Sequence, residues 1–274
     1  MKEKKLKNFL LISSSIFIIL FTSIPVLYMI VVSLNREPDF LLKGIKITLN
    51  NFKNILTEKN LHFLDYLRNS FIIASISSLF SVLIASLSAY AITRIDFPFR
   101  YGFLLLSIAI SMFPQITLVS YLFKFMLKLN LINTYPALIF PYISWSLPLS
   151  LWILTSFFMK IPKELDEAGM IDGCTRFNVL SKIIFPVALP GIFSTAILCF
   201  IFSFNEFLFA LILTTDYHAR TIPVGIAMFQ GLHGEIPWGN IMSASTISTL
   251  PVILLTILFQ KKIILNLTQG SLKG

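Results

Sequence analysis

The sequence predicts an all-α membrane protein with six transmembrane helices. Composition is the first observation behind this. Hydrophobic residues make up 56% of the 274 and charged residues only 13%, with a mean hydropathy of +0.82. Soluble domains carry about 25% charged residues. The second observation is where the charges are missing. Stretches free of Asp, Glu, Lys and Arg run at 8–35, 69–93, 101–123, 129–159, 183–205 and 236–260. A bilayer core of about 30 Å needs about 20 apolar residues per helix, and each stretch is long enough. The third is continuity. Barrel strands would alternate apolar and polar residues in short segments, and these stretches do not. The expected spans are about 9–34, 70–93, 101–125, 131–158, 188–214 and 239–260, within one transmembrane domain covering 1–274. The fifth continues past Glu206. The principal connections are a loop at 35–69 and a second at 159–187.

The first span follows Lys2, Lys4, Lys5 and Lys7, as a signal peptide would. Its apolar run far exceeds a 7–15-residue signal core, and no A-x-A site follows it. It therefore reads as a retained anchor, in which Pro25 is tolerated because neighbouring helices can satisfy the freed carbonyl. Lys and Arg counts set the orientation. With the N-terminus inside, segments 1–7, 94–100, 159–187 and 261–274 hold 13 basic residues, and 36–68, 124–128 and 216–235 hold 9. Both termini and the 159–187 loop are then cytoplasmic, and the 35–69 loop is extracytoplasmic. The chain is then a multi-pass membrane protein surrounded by lipid. The net charge of +9 is accounted for by membrane-flanking lysines and calls for no nucleic acid.

Several chemistries are missing. Cys174 and Cys199 have no metal-ligand spacing, and His62, His218 and His233 are far apart in sequence. No metal site is expected. Gly234 and Gly239 have the spacing of a phosphate-binding loop, but Asn240 stands where that loop needs Lys. There is no dinucleotide fingerprint and no nucleophile elbow, so the chain is not expected to be an enzyme or to hold a cofactor itself.

One charged island interrupts the apolar chain. Positions 164–186 read ELDEAGMIDGCTRFNVLSKIIFP, with four acidic and two basic residues. Pro162 suits a helix start, and Glu164, Asp166 and Glu167 suit the positive end of the helix dipole. Ala168 and Gly169 give that helix a thin face. Gly173 is a natural break before a second amphipathic segment, Thr175 to Ile184, which Pro186 and Pro190 should end. Such an element is either a docking helix for another protein or a solvated connector.

The spacing here resembles the EAA motif of ABC importer permeases, E-A-A-x3-G-x9-I-x-L-P. It is carried by Glu167-Ala168-Gly169, Gly173 and Ile183-Ile184-Phe185-Pro186, with Gly169 for the second Ala and Phe185 for Leu. The stretches NTYPALIFPYISWSLPLSLWILTSFFMKIPKELDEAGMIDG, FNEFLFALIL, TIPVGIAMFQG and LTQGSLKG are similar to the carbohydrate-uptake branch, in its maltose-type second permease. This resemblance implies a type I ABC importer permease fold, a sugar importer and a place in a bacterial-type cytoplasmic membrane. It implies a second homologous permease, two cytoplasmic ATPase subunits that bind the ATP and Mg, and an extracytoplasmic solute-binding protein. It makes the island a coupling helix, with Glu164, Glu167, Ala168, Gly169, Asp172, Gly173 and Pro186 as the ATPase-coupling residues. A permease for another solute, such as glycerol phosphate, and a secondary transporter are the alternatives.

Candidates for the translocation path are Gln115, Asn205 and Glu206. A mid-span charge costs at least about 2.5–3.5 kcal/mol and should face the bundle or a wet cavity. Glu206 is either such a residue or one in the outer third that reaches the interface. Asn205 can bond across helices. Gln115 beside Pro114 is either a donor to sugar hydroxyls or part of a packing kink. Ala74, Ser78, Ser81, Ala85 and Ala89 form a small-residue stripe, a helix-packing face expected to be completed by a partner.

Overall fold

The computed structural model describes residues 2–35, 46–229 and 236–268. His233, Gly234, residues 36–45 of the 35–69 loop and the end of the LTQGSLKG tail lie outside the described residues. Helices account for nearly everything described, and the lone β feature among the described residues is an isolated bridge between Asn35 and Ile47. Five helices are long and apolar enough to cross a membrane, and a bent pair makes a sixth crossing if counted as one span.

In chain order the helices are α1 (Lys2–Ser33), α2 (Asn50–Thr57), α3 (Phe63–Arg94), α4 (Arg100–Ser111), α5 (Gln115–Lys128) and α6 (Tyr135–Phe158). They continue with α7 (Glu164–Ile171), α8 (Arg176–Val179), α9 (Phe185–Phe204), α10 (Leu208–Leu213), α11 (Ile222–Ala227) and α12 (Trp238–Thr268). Two expected spans are broken. The 101–125 stretch is α4 and α5, which meet at 90°. Pro114 cannot donate to the Ile110 carbonyl, and its ring disfavours helix at Phe113. Met112, Phe113 and Pro114 are all exposed at the bend. The 188–214 stretch is α9 and α10, separated by Asn205–Phe207.

Pro186 and Pro190 do not end the second island segment. A single π turn at Leu180–Ile184 joins α8 directly to α9, and the Phe185 N–H donates to the Leu180 carbonyl. A wide turn immediately before Pro186 shifts the hydrogen-bond ladder by one residue, and the missing proline donor is accommodated there.

The chain divides into two compact units. Residues 64–225 and 251–274 form the larger one, and 1–63 with 226–250 form the smaller. The larger unit has a core where α3, α6 and α9 meet the island. Ala85, Ala89, Ile92, Leu154, Phe158, Ile161, Val179, Ile184 and Ala188 fill it. A second core lies toward the other ends of these helices and includes Ile73, Leu138, Tyr142, Phe209 and Leu213. Polar side chains close that end. Fully buried Asn69 donates to the carbonyls of Tyr217 (2.9 Å) and Arg220 (3.0 Å) and accepts from the Tyr135 hydroxyl. The small-residue stripe is buried inside this unit: Ala74, Ser81, Ala85 and Ala89 are at 0% exposure, and the Ser81 and Ser146 hydroxyls bond at 2.6 Å. No partner is needed to complete it.

In the smaller unit, Asn51 on α2 donates to the carbonyls of Ser33 (3.0 Å) and Asn35 (2.7 Å), and the Ser243 hydroxyl donates to Ser33 O. Gly239 lets Asn51 come close; a Cβ there would lie 2.6 Å from its amide nitrogen.

Candidate functional site

The island folds as a short helix, a tight stop and a second helix. Helix α7 ends on Gly173, whose φ of +83° falls in the left-handed region. Gly173 N donates to Met170 O and Cys174 N to Gly169 O, at 3.1 and 3.0 Å. This pair of bonds is a Schellman cap, and glycine holds its left-handed residue without steric cost. Thr175 then caps α8, with its hydroxyl accepting from Asn178 N at 3.3 Å.

The two faces of α7 differ in chemistry. Asp166 and Gly169 are buried on the inner face. A Cβ at Gly169 would lie 2.5 Å from Ile183 Cδ1 and 3.1 Å from Val179 Cγ2. Gly169 therefore brings α7 close to the segment that follows it in the same chain. Of the two small residues of the expected thin face, only Ala168 is left exposed. Glu164, Glu167, Ala168 and Asp172 are exposed, and Gly173 is exposed at the stop. Among them stand uncovered apolar side chains: Met170 (43%), Ile171 (85%) and, on α8, Phe177 (70%). Pro186 lies apart from this face, in the first turn of α9.

Asp166 was legible only as a favourable charge at a helix start, but the structure gives it a second role. Its Oδ2 accepts from Arg94 Nε at 2.8 Å, and its Oδ1 accepts from the Tyr90 hydroxyl at 3.0 Å. Arg94 also donates from Nη2 to the Ile161 carbonyl at 2.8 Å. The Asp166 and Arg94 side chains are 8% and 6% exposed. Helical spacing places Asp166 on the same face as Gly169, three positions on, but carries no signal for its partners on α3.

Gln115, Asn205 and Glu206 come together. They line one open cavity of about 420 Å³ with Ile201, Phe202, Phe207 and Leu208. Glu206 is 6% exposed and accepts from Phe209 N (2.9 Å) and Ala210 N (3.2 Å). These are first-turn donors of α10, which lack partners within the helix. Glu206 therefore caps the broken span and does not extend to an interface. Asn205 bonds back to Ile201 O in its own helix at 2.8 Å, not across helices. Gln115 opens α5 immediately after the 90° bend. Among the described residues no group of His, Cys, Asp and Glu could hold a metal ion.

Residues 81–265, which include the island and the cavity, match the model of the binding-protein-dependent transport system inner membrane component family. The chain belongs to this family. It is a multi-pass cell-membrane permease subunit and not an enzyme. The trehalose/maltose transport system permease protein MalG of Thermococcus litoralis is 54% identical over 277 residues, covering 100% of both chains. The trehalose transport system permease protein SugB of Mycobacterium tuberculosis is 37% identical, covering 92% of each. The fold matches a chain of a bacterial ABC transporter involved in alginate import, with a TM-score of 0.75 at 17% identity, covering 91% of this chain and 95% of that one.

Proposed function

We propose that this chain is the permease subunit of an ATP-driven importer for disaccharides of the trehalose and maltose type. It forms the translocation path with a second, homologous permease. A solute-binding protein delivers the sugar outside, and two ATPase subunits dock inside. The observation carrying this is full-length 54% identity to a trehalose/maltose permease. The site supports it. The exposed face of α7 pairs acidic Glu164, Glu167 and Asp172 with uncovered Met170 and Ile171, a mixture suited to a protein cleft with a basic rim. Both termini and this face are cytoplasmic. ATP-driven closure of the ATPases moves α7, and the spans convert that movement into alternating access.

Gln115 and Asn205 offer uncharged hydrogen-bonding groups beside the Phe202 and Phe207 rings. Amides next to aromatic faces suit sugar hydroxyls and the C–H faces of pyranose rings. The test is uptake by the reconstituted complex of labelled trehalose, maltose and glycerol phosphate. ATP-dependent uptake of trehalose or maltose is expected. Uptake of glycerol phosphate alone would overturn the assignment.

A further inference from the structure

The coupling helix is held to the membrane helices by more than its chain connections. Asp166 lies on the inner face of α7, and Arg94 ends α3, 72 residues earlier in sequence. Their ion pair is removed from water. A buried pair seldom adds net stability over a well-packed apolar pair, because both ions lose hydration; its best-attested use is to fix one arrangement against others. Three features fit that use here. Both carboxylate oxygens have partners on α3, Arg94 and Tyr90. The same guanidinium holds the Ile161 carbonyl, so one side chain fixes both the entry to the island and its first turn. On the side facing the following segment, Gly169 brings α7 against Val179 and Ile183. With Asp166 drawn toward α3 and Gly169 seated on that segment, α7 has little freedom to slide alone.

We propose that Arg94 and Asp166 are positioning residues that lock α7 to the end of α3, so that the two move as one body throughout the transport cycle. This rests on the coupling reading above. Displacement of α7 then passes directly into the second span, in addition to passing through α9. In this scheme Tyr90 orients the carboxylate and Arg94 carries the load.

The test uses the complete importer in proteoliposomes. Spin labels are placed on the native Cys174, just past α7, and on Ile95→Cys, just past α3. Their separation is measured in the nucleotide-free and the vanadate-trapped state. An unchanged separation is expected. A change of several ångströms with the ion pair intact would show that α7 moves independently and would overturn the proposal. Asp166→Asn and Arg94→Lys give the second measurement. Each should leave ATP hydrolysis running while lowering sugar imported per ATP about tenfold, within the usual range for coupling between sites. A purely structural role would instead lower complex yield, hydrolysis and uptake in parallel, which also counts against the proposal. Tyr90→Phe is the mild variant and should lower the import-to-hydrolysis ratio less than Asp166→Asn. Absence of any sugar uptake by the unmutated complex, with the label separation still constant, would overturn the import function and not the rigid link.

Discussion

At the scale of single residues, the island depends on two glycines for different reasons. Gly173 has open space around it but a φ of +83°. Gly173→Ala should destabilise by about 1–2 kcal/mol through left-handed strain alone, and Gly173→Asn by less. Gly173→Pro fixes φ near −65° and removes the donor to Met170. It should abolish uptake while the binding protein's affinity for sugar stays unchanged. Gly169 has an ordinary φ but crowded surroundings. Gly169→Ala must displace the end of Ile183 and also press on buried Val179, so it should cost about 1–3 kcal/mol, and Gly169→Leu more. Thermal unfolding of the complex separates these cases. On the outer face, under the proposed docking, Glu167→Lys sets a cation against the basic rim of the ATPase cleft. Loss of uptake with partial rescue by charge reversal on the ATPase is expected, and wild-type uptake with the ATPase fully bound would make the island a connector only.

At the scale of elements, the two broken spans are the chief departure from what the sequence shows. Prolines at 25, 114, 141, 148, 190 and 251 all fall in apolar stretches, yet all but Pro114 remain inside helices. Neither composition nor burial distinguishes them: Pro25 and Pro190 are as exposed as Pro114 and yet stay helical. Helix existence was legible from the long charge-free stretches, and the stop at Gly173 from residue type. Glu206 was legible as a mid-span charge but not as the cap of a break no motif announced. Asp166 was not legible as an anchor, because its partner lies on another helix. The break carries its own predictions. Glu206→Ala leaves the N–H groups of Phe209 and Ala210 without acceptors and should cost about 1–3 kcal/mol, whereas Glu206→Gln keeps one acceptor and should cost less. Gln115→Ala should raise the half-saturating sugar concentration severalfold if it removes one hydrogen bond of about 0.5–1.5 kcal/mol, with complex yield unchanged.

At the scale of the whole molecule, helix α1 is a span whose most apolar window is only 6% buried within the chain. The small-residue stripe is already packed within the larger unit, so it is not the surface left for the proposed second permease. Expressed alone, the chain should be degraded or aggregate, and it should purify with a second permease and two ATPase copies. A stable monodisperse monomer in detergent would contradict this. Orientation has a direct check. A cysteine near Lys53 should react with an impermeant reagent from outside intact cells, and one near Arg176 should not. The division into units also has a consequence for synthesis. The smaller unit joins residues 1–63 to 226–250, with 64–225 made in between. At about 5–20 residues per second, the ribosome takes roughly ten to thirty seconds to add the intervening chain. During that interval the Ser33 carbonyl has its Asn51 partner but lacks Ser243, so the first helix to enter the bilayer is tied to α2 well before α12 reaches it.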